Sequence, residues 1–235
     1  TPYKVGATAL VRAEREAAAE AMVPIEADVD PAEAEPTERK RLPLPLARPR
    51  CMADLPDLPA FLQPPPEQTG LRRGVATHQV LSLLPFAPLR PVADDPAALR
   101  AAVQAQLEAM VAHRQLTAEE AALVDTQAVV RFLQSPWGRE ALTADTVRRE
   151  WSFNLRLPER DGLLVQGVID LCTLRQGQWT LVDYKTDAVP NAEALWPLYG
   201  AQIDLYRRAL REATGMPVRS ATLYALALGE GATRS

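Results

Sequence analysis

In the N-terminal half of the chain the apolar positions recur at helical spacing. Residues 5–22 read as a helix rich in Ala, Glu and Arg. Residues 72–84 (RRGVATHQVLSLL) resume that period, with Val75, Val80, Leu83 and Leu84 available for a buried stripe. Two better-marked helices follow. Asp95-Pro96 sets a capping carboxylate before a proline at an early helical position and opens a helix over residues 97–112. Thr117-Ala118-Glu119-Glu120 is a capping box that predicts a helix running to Leu133. After Trp137 the spacing changes to strand-like alternation. Residues 151–157 alternate, residues 163–175 are β-branched and apolar, and residues 178–186 repeat that character. A helix over residues 192–213 and a last strand near residues 218–228 complete the series. Three strands on short connections, then a helix and a strand, predict an α/β fold. A mixed β-sheet flanked by helices suits this order better than a doubly wound parallel sheet.

Composition interrupts this picture at one place. Residues 24–66 carry eleven prolines, each removing a backbone donor and fixing φ, so neither a helix nor an interior strand is expected there. The predicted organisation is an N-terminal helix over residues 1–23, a proline-rich arm or linker over 24–66, and a core over 67–235. With 235 residues and 47% hydrophobic content the chain can bury a full core. No run is long and apolar enough for a membrane span and no apolar leader opens the chain, so a cytoplasmic protein without membrane association is expected. Cys51 and Cys172 are too far apart and too few for a disulfide framework or a four-cysteine metal site; buried, reduced thiols are expected. A net charge of −4 argues against wrapping nucleic acid by bulk electrostatics, although Arg207, Arg208 and Arg211 could form a local basic surface. The sequence holds no GxxxxGK[ST] loop, so no ATP site is expected in this chain.

Residues 166–187, QGVIDLCTLRQGQWTLVDYKTD, concentrate the chemistry. A two-residue turn at Gln176-Gly177 would set Arg175 opposite Gln178, with glycine where a positive φ is wanted. In that register Asp170 falls opposite Asp183, with β-carbons about 5 Å apart on one face. Lys185, two residues beyond Asp183, shares that face. The bland reading of these residues is a structural Asp–Lys pair. All three in register beside Ile169, Leu171, Leu181 and Val182 point instead to a functional cluster, because charges on a covered sheet are expensive. Two carboxylates and an ammonium suit phosphodiester hydrolysis, in which oxygen ligands hold Mg²⁺ and a lysine orients or deprotonates water. A one-residue slip in register would dissolve the cluster.

These segments resemble a known family. Asp170, Asp183-Tyr184-Lys185-Thr186 and Gln202-Ile203-Asp204-Leu205-Tyr206 are similar to the GxxD, DYKT and QLxxY motifs of RecB-type PD-(D/E)XK nucleases, which have a restriction-endonuclease-like core. The likeness is strongest to the C-terminal nuclease domain of AddA-type helicase–nucleases. It extends to PYKVGATAL at the start and to Arg73-Gly74-Val75-Ala76-Thr77-His78, which resembles an RGTxxH segment. The resemblance implies that His78, Asp170, Asp183 and the main-chain carbonyl of Tyr184 are metal ligands and that Lys185 is the catalytic lysine. It places Gln202 and Tyr206, four apart on one helix face, in support of the site or against DNA. By itself a lone histidine such as His78 reads as packed or capping. Glu150 stays open between a further outer-sphere acid and a surface charge beside Arg148 and Arg149. The implied cofactor is Mg²⁺, for which Mn²⁺ can substitute, with no iron–sulfur cluster, since the four cysteines of AddB-type relatives are missing. The implied partners are single-stranded or unwound DNA, an AddB-type partner subunit, and a helicase portion on the same polypeptide. Two other readings stand beside it, a silent nuclease-fold docking module and a stand-alone exonuclease.

Overall fold

The structure is a computed structural model that describes residues 4–20 and 66–235. The predicted arm up to residue 65, with Cys51, lies outside the described residues. The chain divides into two compact units, one of residues 1–13 with 64–235 and one of residues 14–63. Of the second unit only residues 14–20, the end of a helix, are described. The remaining described residues belong to the first.

The N-terminal segment is not helical from residue 5. Lys4–Gly6 forms a short strand, β1, paired in parallel with Leu164–Gln166, and the helix α1 begins behind it at Ala7–Glu20. Helix α2, Pro66–Leu83, starts earlier than its apolar spacing predicts, proline being tolerated in a first turn. Its buried stripe is Ala76, Val80 and Leu81, continued by Leu84 just past its end, while the predicted Val75 and Leu83 are 59% and 37% exposed. The error comes from the doublets Val75-Ala76 and Leu83-Leu84, in which two adjacent apolar residues leave the helix face undecided.

Helix α3, Pro96–Ala112, begins where Asp95 accepts from the amides of Ala97 and Ala98. The single helix predicted after Thr117 is two. The capping box opens α4, Ala118–Leu123, and Asp125 stops it by capping α5, Thr126–Gln134, through the amide of Ala128. Ser135 and Pro136 then launch α6, Pro136–Thr143, which the alternating pattern downstream had hidden.

The sheet strands are β2 (Thr146–Leu157), β3 (Leu163–Arg175), β4 (Gln178–Lys185), β5 (Val218–Ala225) and β6 (Glu230–Arg234). Between β4 and β5 runs α7, Trp196–Thr214, behind one 3₁₀ turn at Ala192–Leu195. The last strand expected near residues 218–228 ends at Ala225, and a turn through Gly229 returns the chain as β6, which the sequence pattern did not predict. The order across the mixed sheet is β1-β3-β4-β5-β6, with β2 antiparallel on the other edge of β3. Helices α2 to α6 cover one face, where Leu81, Leu99, Phe132, Leu171, Val182 and Tyr224 pack together. Helix α7 and the start of α1 cover the other, over Ile169, Leu181, Ile203 and Leu223. Each such side chain contributes about 1.5–3 kcal/mol on burial. Cys172 is fully buried in the second cluster, and burial pushes its thiol up.

One irregularity of this sheet positions the site. The edge of β3 that faces β4 is shared: β1 takes residues 164–166 and β4 takes residues 171–175. Residues 167–170 have no ladder partner there among the described residues, so β3 and β4 form a fork that opens at Asp170 and Asp183.

Candidate active site

The hairpin turn is the one its residues predict. Gln176 and Gly177 have φ of 51° and 74°, as a two-residue turn with both central residues left-handed requires, and Arg175 pairs with Gln178. The register holds through Leu171 opposite Val182. At the next step, where Asp170 and Asp183 would face each other, the ladder stops. The amide of Tyr184 donates to Asp170 Oδ2 at 2.7 Å in place of a strand bond. Strand β4 meanwhile continues along β5, with Asp183 opposite Leu223 and Lys185 opposite Ala225.

A second distortion lies at the same level. In β2, Arg149 reaches the α2 side, bonding the carbonyls of Leu81 and Leu84, whereas Trp151, Phe153 and Leu155 pack on the α7 side. In β3, Leu171 belongs to the α2 side and Ile169 to the α7 side. Odd-numbered positions therefore change faces across Glu150 and across Asp170, which lie opposite each other where the β2–β3 ladder skips a pair. Glu150 takes a φ of 47° to do so. A left-handed glutamate costs about 1–2 kcal/mol, and such strain persists where the surroundings over-determine it.

Helix α2 supplies the third wall. Gly74 lies against Thr186, just past β4, so closely that a β-carbon would stand 2.9 Å from Thr186 Oγ1. One turn on, His78 Nδ1 is 3.5 Å from Asp170 Oδ1. Ligand atoms of His78, Glu150 and Asp170 all lie within 4.8 Å of one another. Glu150, left open by the sequence, is thus part of the cluster. The residues line an open cavity of about 510 Å³ together with Gly74, Gln79, Ser82 and Thr186.

Asp183 is not among the residues whose ligand atoms gather there; it is 2% exposed, with Lys185 Nζ 2.5 Å from its Oδ2. No donor meets that buried oxygen in good hydrogen-bond alignment, so the contact is chiefly coulombic. Lys185 Nζ also sits 4.2 Å over the ring of Tyr199, whose hydroxyl donates to Asp187 at 2.8 Å. Sequence reasoning missed Tyr199; its signal was its place three residues before Gln202 on the same helix.

Gln202 and Tyr206 do not reach the cluster. Gln202 Nε2 donates to the Tyr206 hydroxyl at 2.5 Å and to Thr8 at 3.2 Å, and the Tyr206 ring packs edge-on to Phe153 at 5.5 Å. They tie α7 to α1 and β2 beneath Asp183. The ring of Tyr184 is buried on the α2 side, edge-on to His78 at 5.8 Å and to Phe132 at 4.9 Å. Of the predicted basic surface, Arg208 is engaged by Glu159 and Glu212.

The charges strain against one another. Burial pushes the Asp183 carboxyl up to about 6, with Lys185 opposing and the charge of Asp170 adding to the rise. Burial also raises Glu150, and Asp170 raises it further. For His78 burial works downward, but the hydrogen bond and charge of Asp170, with the charge of Asp183, hold the imidazole above its ordinary value. His78, Glu150 and Asp170 crowd together, Lys185 is paired with Asp183, and a buried oxygen of Asp183 lacks an aligned donor. This donor set fits a divalent cation, which takes oxygen ligands and tolerates an imidazole.

Comparison with known proteins agrees with the geometry. The family model of the PD-(D/E)XK nuclease superfamily matches residues 53–233. The chain belongs to the PD-(D/E)XK nuclease superfamily. Within the matched stretch, Asp183-Tyr184-Lys185 has the acid-X-Lys spacing that the superfamily's name spells. Curated relatives include the A-type subunit of the ATP-dependent helicase/nuclease of Levilactobacillus brevis, 34% identical over 73% of this chain. Its counterparts of the same name from Acetivibrio thermocellus and Desulforamulus reducens are 32% and 33% identical over 75% and 71% of it. This nuclease domain spans 14% of the length of each of the three. Among the described residues no helix is long and apolar enough to cross a membrane.

Proposed function

We propose that this domain hydrolyses phosphodiester bonds of DNA with a divalent metal, Mg²⁺ by preference with Mn²⁺ able to substitute. The observation that carries the reading is the fork: ligand atoms of His78, Glu150 and Asp170 lie within 4.8 Å of one another, and Asp170 accepts from the amide of Tyr184, the residue between the paired Asp183 and Lys185. His78, Asp170, Asp183 and the carbonyl of Tyr184 would hold the metal, with Glu150 beside them. A bound cation supplies charge neutralisation and Lewis acidity toward a phosphodiester. Asp183 and Tyr199 aim the Lys185 ammonium, which orients the attacking water and offsets developing negative charge. Gln202 and Tyr206 brace α7, α1 and β2 against one another.

The relatives are named as helicase/nucleases, which supports a setting in which an attached helicase delivers single-stranded ends to an exonuclease. In that setting the domain serves double-strand-break repair by recombination in the cytoplasm, beside an AddB-type partner.

The test is cleavage of labelled single-stranded DNA at low salt with Mg²⁺ or Mn²⁺. Asp183→Ala and Lys185→Ala are each expected to slow cleavage by about 10²–10³. Absence of cleavage by the unaltered chain, with no calorimetric Mn²⁺ binding that depends on Asp183, would replace this reading with a docking module.

A further inference from the structure

A second cavity adjoins the cluster and has no part in the chemistry described so far. It measures about 230 Å³ and is lined by Arg73, Thr77, Asp125, Ala128, Thr186, Leu226 and Ala227. Thr186 lines both cavities. Helix α2 divides them by its own periodicity. Gly74 and His78, one turn apart, face the metal-type cluster, whereas Arg73 and Thr77, also one turn apart, face the second cavity. The close approach of Gly74 to Thr186 keeps the partition thin.

The charges in the second cavity are unequally committed. Asp125 is spent within the protein: one carboxylate oxygen caps α5 through the amide of Ala128 at 3.1 Å and the other lies 3.8 Å from Arg131. Thr77 Oγ1 is bonded to the carbonyl of Arg73 at 2.8 Å. Arg73 itself is exposed and has no carboxylate partner among the described residues, unlike its neighbour Arg72, which pairs with Glu119. A guanidinium without a carboxylate partner, in a cavity that Ala128, Leu226 and Ala227 also line, offers a phosphate a forked donor and a sugar or base apolar side chains to lie against.

We propose that this cavity is a nucleotide subsite: it receives the nucleotide next to the scissile bond, with Arg73 on the neighbouring phosphate. The proposal rests on the nuclease reading, because that reading puts the scissile phosphate in the adjoining cavity. Arg73 then sets substrate grip and register without taking part in bond cleavage.

The experiment uses the chain with a labelled single-stranded oligonucleotide. Binding is followed by anisotropy in EDTA across a salt series, and cleavage is followed with Mn²⁺. Arg73→Ala is expected to weaken binding about tenfold, as loss of one charge-assisted contact does. It should also reduce the slope of log K against log salt by about 0.7, the value for one single-strand phosphate. Arg73→Lys should retain the slope, and Arg72→Ala should change neither quantity. A substrate with one neutral methylphosphonate linkage beside the cut should lose as much in KM as Arg73→Ala does, and the two losses should not add. Cleavage in which Arg73→Ala leaves KM and salt slope unchanged, or in which the two losses add fully, overturns the subsite and leaves the nuclease reading standing. Arg73-dependent binding without any metal-dependent cleavage overturns the nuclease reading, and with it the assignment of this subsite to a scissile bond.

Discussion

Glu150 concentrates the conflict between stability and chemistry in one residue. Its carboxylate sits among the ligand atoms while its backbone is held at a positive φ that glycine adopts at little cost. Glu150→Gly is expected to leave the melting temperature equal or raised by a few degrees while cleavage falls at least about tenfold. Thermal unfolding and the cleavage assay on the same preparation check this, and a large loss of stability would refute it. The sequence marked Glu150 as undecided because β-propensity supplies no warning of a left-handed residue inside a strand. The trio Asp170, Asp183 and Lys185 was legible because a hairpin with a two-residue turn fixes register without tertiary information. What could not be read was that the strands part at the very rung where the carboxylates would meet.

Helix α2 was legible only in part: Val80 and Leu84 are buried as expected, whereas the doublets Val75-Ala76 and Leu83-Leu84 left the rest of its face undecided. The helix is held in place by an arginine to which the sequence assigned no role. Arg149 bonds the carbonyls of Leu81 and Leu84 just at the helix end and lies 4.7 Å over the ring of Phe86. Burial lowers the Arg149 guanidinium from its ordinary value, yet an arginine remains charged throughout the working pH range. A cation at a helix C-terminus contributes about 1–2 kcal/mol when partly buried. Arg149→Ala is expected to destabilise the chain by about that amount in urea unfolding. Because α2 carries His78, the same substitution should weaken Mn²⁺ binding more than Arg148→Ala does, as measured by calorimetry. The boundaries at Asp125 and Ser135-Pro136 were visible in principle, as caps, but were overruled by the continuity of apolar residues on either side.

For the molecule as a whole, the cluster gathers more negative charge than Lys185 offsets. A cation that binds only the folded state at about 100 times its Kd adds about 2.7 kcal/mol. For a chain of this size that corresponds to a rise of about 5–10 °C in melting temperature. The sign of its pH dependence follows from the shifts. Asp183 and Glu150 are raised by burial and His78 by its carboxylate neighbours, so in the metal-free protein protons compete for all three as pH falls. The Mn²⁺-induced rise is therefore expected to be full near pH 8 and to shrink as pH falls through about 6, as a thermal-shift series would record. A rise independent of pH across that range would show that the metal binds elsewhere. The α/β class and mixed sheet were legible from strand order and short connections, whereas β1 and β6 were too short to separate from their neighbours.

The hairpin of β3 and β4 also bears on how the chain reaches this structure. Asp170, Asp183 and Lys185 all lie on its two strands, joined by a turn of two residues, whereas His78 and Tyr199 come from helices remote in sequence. β-Hairpins form in about 1–10 μs, sooner than contacts between elements far apart in the chain. Any conformer that has closed this hairpin brings the ammonium along with the carboxylates. Their mutual repulsion is thus met with its counter-charge already on the hairpin, whose ladder closes from Arg175 and Gln178 to Leu171 and Val182, one rung short of the two acids.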